Sequence, residues 1–169
     1  TGNGKLISNA SAGHTQNINA LSLGAADGDP TGELEVTGGL ITVATGYGNA
    51  SGTIRLTGGD LIFANTNDNR FAHRSGSEDS IIVTSGTYTD NSRFSGEHGS
   101  LTIDVSGTGE AIFQGTHFDP SVLPDETDSD PDTLTVNISD NALLRVTAAN
   151  GARFGTRNDS GADTITQTG

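Results

Sequence analysis

Residues 32–39 read GELEVTGG and residues 52–59 read GTIRLTGG, two versions of one phrase set twenty residues apart. In each, apolar residues (Leu34 and Val36; Ile54 and Leu56) alternate with polar ones and run into Thr-Gly-Gly. That is the period-2 pattern of a strand with one buried face, closed by a turn. The alternation returns as IIV at 81–83, LTI at 101–103, LTV at 134–136 and ITQ at 165–167. Turn residues follow as TSG at 84–86, SG at 106–107 and SDN at 139–141. A second strand comes after each turn: LITV (40–43), DLIF (60–63), TYT (87–89), EAIF (110–113) and ALLRV (142–146). A third centres on Phe71, Phe94, Phe118 and Phe154, with Leu23 in the corresponding slot near the start. No stretch keeps helical periodicity over a useful length, so the sequence predicts an all-β chain.

The first strands recur roughly every 20 to 33 residues, and the loops absorb the variation while the strands keep their pattern. A parallel β-solenoid tolerates insertions in this way. The reading is therefore one domain over residues 1–169, wound as about six coils with three short strands per coil. Stacked at about 4.7–4.9 Å, these coils give a stem of roughly 30 Å. Stacking sets Glu35 beside Arg55 on the outer surface and brings the four Phe into one buried slot. Each aromatic pair there contributes about 0.5–1.5 kcal/mol beyond its area burial. The competing arrangement at this strand spacing is an antiparallel sandwich or jelly roll.

Composition narrows the function. The apolar fraction of 31% is low, which suits a thin core. With no Cys, neither a disulfide nor a thiolate-bound metal holds the chain together, so backbone ladders and packing must. A net charge of -13 opposes nucleic acid binding, because phosphates would be repelled, and suits a soluble exported protein or one that binds cations. No apolar run reaches the ~18 residues of a membrane span.

The stretch LSLGAADGDPTGELEVTGGLITV, residues 21–43, resembles the repeats of bacterial surface and autotransporter-type passenger proteins. It is similar also to exported proteins carrying PEP-CTERM-type sorting signals. The resemblance implies a right-handed parallel β-solenoid, an extracellular or cell-surface location, and a role in adhesion, biofilm or surface coats. It transfers no catalytic residue.

Two departures from a plain repeat are candidate sites. Arg70, Arg93, His117 and Arg153 each precede a slot Phe, so stacking would line them up as an outward basic column, extended by His73, Arg74, His98 and Arg157. Arg forks suit carboxylate and sulfate, which makes the column a candidate groove for an anionic polysaccharide. Alternatively the carboxylates of Asp68, Asp90, Glu97 and Asp159 neutralise it and the column is structural. The second departure is an insertion at 119–132, DPSVLPDETDSDPD, with six carboxylates and no basic residue. Asp125, Glu126, Asp128, Asp130 and Asp132 could supply oxygens to Ca²⁺, but the loop lacks the Gly and closing Glu of an EF-hand and reads better as a solvated, mobile acidic loop.

Other chemistry has less behind it. Thr37, Thr57, Thr84, Ser106 and Ser139 make a hydroxyl row beside the turns. The adjacent outward slots are read as Glu35, Arg55, Ile82, Thr102, Thr135 and Thr166, a face neither uniform nor uncharged over its first half, which leaves ice binding as the less favoured alternative. A polysaccharide lyase or hydrolase would need paired carboxylates or Asp with Arg, and no catalytic motif places them, so a non-enzymatic protein is expected.

The chain closes on DTITQTG, a first strand and the start of its turn, and opens on TGNGKLISNASAG, read as a turn and a second strand. On that reading the two ends are in phase. Either the chain is a segment of a longer array, with flanking repeats as partners, or copies stack head to tail. The expectation is an extracellular stalk, fibre or coat segment, with a polysaccharide-binding or polysaccharide-processing β-helix as the alternative.

Overall fold

The computed structural model describes residues 4–23, 32–47, 51–71, 76–96, 99–119, 133–152 and 164–168. Their strands, in chain order, begin with β1 (Lys5–Asn9), β2 (Thr15–Ile18), β3 (Gly32–Gly38), β4 (Leu40–Val43), β5 (Gly52–Thr57), β6 (Asp60–Phe63) and β7 (Asp68–Phe71). There follow β8 (Ser77–Ser85), β9 (Thr87–Asp90), β10 (Arg93–Gly96), β11 (Gly99–Val105), β12 (Glu110–Phe113) and β13 (His117–Asp119). The last are β14 (Leu134–Ser139), β15 (Leu143–Val146) and β16 (Thr164–Thr168). Among the described residues there is no helix, hence none long and apolar enough to cross a membrane.

The strands form three sheets: a first of order β1-β3-β5-β8-β11-β14-β16, a second of order β15-β12-β9-β6-β4-β2, and a third of order β13-β10-β7. All thirteen pairings are parallel, which removes the antiparallel sandwich for the described residues. The chain makes repeated passes, running from the first sheet to the second and then the third, as in β5-β6-β7, β8-β9-β10 and β11-β12-β13. Each strand thus pairs with its counterpart in the neighbouring pass.

Alternation becomes burial. Leu34 and Val36 are fully buried while Glu35 between them reaches the surface. In register they continue as Leu34–Ile54–Ile81–Ile103–Val136 and Val36–Leu56–Val83–Val105–Ile138, two apolar columns along the first sheet. The second sheet answers with Ile41–Leu61–Tyr88–Ala111–Leu144. β-branched and aromatic side chains fit this half-buried pleated surface. At the turn between the first two sheets Gly86 holds φ 87 and lies on the carbonyl oxygen of Gly59, so closely that a Cβ would overlap it.

Two corrections concern register. Ile103, not Leu101, pairs with Ile81, a slip of two residues from the expected alignment, while Leu101 pairs with Leu134 as expected and Val136 follows Ile103. On its β8 side Leu101 pairs with Asp79. A slip of two leaves every side chain on its expected face, which is why the alternation does not betray it. The outward column through Arg55 and Ile82 consequently continues as Asp104 and Asn137, while Thr102 and Thr135 line up with Thr53 and Ser80.

The second correction is at the start of the chain. KLISN is β1 of the first sheet, with Leu6 above Leu34, and the second-sheet strand is β2. A first-sheet strand therefore stands near either end, and the expected phase match between the termini is lost. Glu35 and Arg55 are side by side as expected, but the ion pairs run differently. Arg55 Nε lies 3.0 Å from Glu33, and Lys5 Nζ lies 2.8 Å from Glu35.

Candidate functional site

In the third sheet the register takes Arg70 out of the expected basic column and keeps Arg93 beside His117. β10 pairs with β13 so that Arg93 stands beside His117, but β10 pairs with β7 so that Arg93 stands beside Asp68, and Arg70 stands beside Ser95. Two outward columns result, Asp68–Arg93–His117 and Arg70–Ser95–Asp119, so that Asp68 neighbours both Arg70 and Arg93. Asp68 lies 3.5 Å from Arg70 and 3.9 Å from Arg93, so it separates the two guanidinium groups that stacking would otherwise have set together. Opposite charges at neighbouring positions favour this arrangement. His73, Arg74, His98, Arg153 and Arg157 lie outside the described residues. So do Asp125, Glu126, Asp128, Asp130 and Asp132, and among the described residues no group of three His, Cys, Asp or Glu is placed to hold a metal ion.

The inward face explains the same slip. Phe94 pairs with Phe118, and Phe71 pairs with Gly96. Tyr47, Phe71, Phe94 and Phe118 still stack successively, with centroids 4.4, 4.8 and 5.4 Å apart. Tyr47 heads this stack in place of the expected Leu23, and the bridge from Tyr47 runs to Leu21. Phe118 is likewise in register with Ala152 rather than with Phe154. All seven described aromatic residues are buried, so none offers a flat surface to a sugar ring.

Beside His117 the face opens. Gly151, at φ 109, contributes no side chain, and a Cβ built there would meet nothing. Arg93, His117, Asp119, Asn150 and Gly151 surround a cleft of about 230 Å³ floored by Phe118 and Ala152. His117 Nδ1 is buried there with no hydrogen-bond partner. Arg93 is about half exposed, its side chain 51% accessible.

Asp90, expected among the carboxylates that neutralise the basic column, lies instead in the interior, where sequence reasoning placed no polar group. Asp90 occupies the column Val43–Phe63–Asp90–Phe113–Val146, an apolar position in every other pass. Its Oδ2 accepts from Asn69 Nδ2 at 2.8 Å and from Tyr88 Oη at 3.1 Å, and its Oδ1 accepts from Ser92 N at 2.8 Å and from the Ser92 hydroxyl. Burial pushes this carboxyl above its ordinary range, against the donors from Ser92, Asn69 and Tyr88, which pull it down. Asn69 Oδ1 in turn accepts from Tyr47 N at 2.9 Å. Tyr47 Oη donates to buried Asp79 at 3.0 Å. Burial first, then the facing carboxylates, hold both phenols well above their usual range. The signal available in the sequence was TYTD at 87–90, which puts Asp where its counterparts end in Val or Phe.

No protein-family profile, curated protein or solved structure matches the chain.

Proposed function

We propose that the chain is a right-handed parallel β-solenoid of about six coils that serves as an extracellular structural scaffold, a segment of a stalk, fibre or surface coat. The observation that carries the reading is register: two apolar inward columns continue unbroken from pass to pass along the first sheet, from Leu34 to Val136 and from Val36 to Ile138. Parallel ladders of this kind resist extension and bending because each pass is hydrogen-bonded along its length to two others. The acidic, hydroxyl-rich exterior keeps such a stem soluble while its outward columns set what it touches.

The partner is more of the same structure, either flanking repeats of one longer chain or another copy. Leu6 supports this: it lies over fully buried Leu34 in an inward column yet is 58% exposed, and Ile7 beside it is 54% exposed. A further pass laid on β1 would cover Leu6 and complete the column.

Two measurements test the proposal. Hydrogen exchange should show slow amides throughout β3 to β14 with no weak pass between them; rapid exchange of one interior pass would overturn a continuous stem. Electron microscopy of concentrated protein should show filaments if copies stack, with an axial repeat of roughly 30 Å for about six coils. Single particles at every concentration would remove stacking of copies and leave flanking repeats as the partner.

A further inference from the structure

The geometry points to the Arg93–His117 cleft as a binding site for a uronate sugar, the carboxylate-bearing unit of an acidic polysaccharide. The inference does not depend on the scaffold reading, since a monomeric stem would carry the same cleft.

Three observations converge on it. Arg93 is held by Asp68 only at 3.9 Å, an ion pair too long for a hydrogen bond, so its fork keeps donors free to meet a planar carboxylate. His117 Nδ1 is buried without a partner, and a group so placed lacks the hydrogen bond it would have in water. The opening between them exists because Gly151 presents no side chain where its neighbours in the column carry Asp68, Arg93 and His117.

The rim selects the class of ligand. Asp119 also lines the cleft, and its charge disfavours the dianions sulfate and phosphate more than a single carboxylate, while a carboxylate's several lone pairs can accept hydrogen bonds from hydroxyl groups. Asn150 adds an amide that both donates and accepts. A ligand that places hydroxyls next to a carboxylate fits this mixture of signs; an acidic peptide side chain brings the carboxylate without the hydroxyls.

The probe is trigalacturonate, titrated into isotope-labelled full chain while the imidazole of His117 and the Arg93 Nε–H are followed by NMR. Saturable shifts confined to Arg93, His117, Asn150 and Gly151 are expected. Arg93→Gln should weaken binding about tenfold or more. Arg145→Gln, which alters a guanidinium paired with Glu110 on the second sheet, should leave it unchanged. Both substitutions are at exposed side chains, and an unaltered amide spectrum elsewhere shows that each variant is folded. Absence of a saturable shift overturns the site, as does equal binding by Arg93→Gln. An equal response to neutral trigalactose or to sulfate overturns the carboxylate-with-hydroxyl assignment, and an equal response to triglutamate overturns the sugar.

Discussion

Phe94 is paired through the backbone with Asn69, yet its ring stacks on Phe71 at a centroid distance of 4.8 Å. The ring also meets Phe113 at 4.7 Å and Phe118 at 5.4 Å, so one side chain ties together the second and third sheets across neighbouring passes. Phe94→Ala should cost about 3–5 kcal/mol in urea unfolding, because it opens a cavity among rings that are themselves fixed. A loss below about 1 kcal/mol, the range of a surface substitution, would contradict that packing.

Asp90 has all its hydrogen bonds inside the protein. Asp90→Ala strands the donors of Asn69, Tyr88 and Ser92 and leaves a void between Phe63 and Phe113. A loss of roughly 3 kcal/mol or more is expected in chemical denaturation. Recovery of wild-type stability in Asp90→Ala would mean that the network contributes nothing net.

The pH dependence of this group has a definite sign. Burial raises the Asp90 carboxyl above 3.8, so between that value and the raised one the folded protein binds more protons than the unfolded chain. Its contribution is fully present below the ordinary carboxyl range and is lost as pH rises through the folded value. Stability of the wild type relative to Asp90→Asn should therefore fall with rising pH across that window; a rise would refute the direction.

Glu33 should act in the opposite sense. The hydrogen bond from Arg55, with that from Lys5, holds its carboxyl below 4.5, so its contribution is present above the ordinary range and disappears as pH falls through the lowered value. The groups are near the surface, so the effect should shrink in high salt. Comparing wild type with Glu33→Gln at low and high salt over the acid range measures it; a difference untouched by salt would argue against an ion-pair origin.

Gly86 and Gly13 separate conformation from contact. Their φ angles are 87 and 85, but a Cβ on Gly13 meets nothing while one on Gly86 overlaps the Gly59 carbonyl oxygen. Gly13→Ala should cost only about 1–2 kcal/mol of backbone strain. Gly86→Ala should cost well beyond that, since two backbones must part. Equal thermal shifts for the two variants would show that the corner yields easily.

Much of the wall was legible in GELEVTGG and its echoes, because period-2 alternation identifies the inward residues and Thr-Gly-Gly marks where the chain turns. What alternation leaves open is any slip of two residues, which keeps every face and changes every neighbour. Leu101 and Leu134 were aligned with Ile81 as the first apolar residue of each strand, whereas β8 reaches back to Ser77 and carries Asp79 at the level of Leu101. In the third sheet the strands have only three or four residues, too few for pattern to fix which Phe pairs with which. The basic column was misplaced with them. Arg93 and His117 survived as neighbours because β10 and β13 do match Phe to Phe.

The chain of bonds from Tyr47 through Asn69 to Asp90 crosses three consecutive passes inside an otherwise oily stack. Leu, Ile and Val columns are nearly interchangeable, so they say little about which pass belongs next to which. Asn69 with its two partners works as an index mark: only one order of passes joins all three. Duplicating or exchanging a pass would leave the columns apolar and the outline intact, yet it would separate these groups, and so the middle of the stem is the part least free to be copied or shuffled.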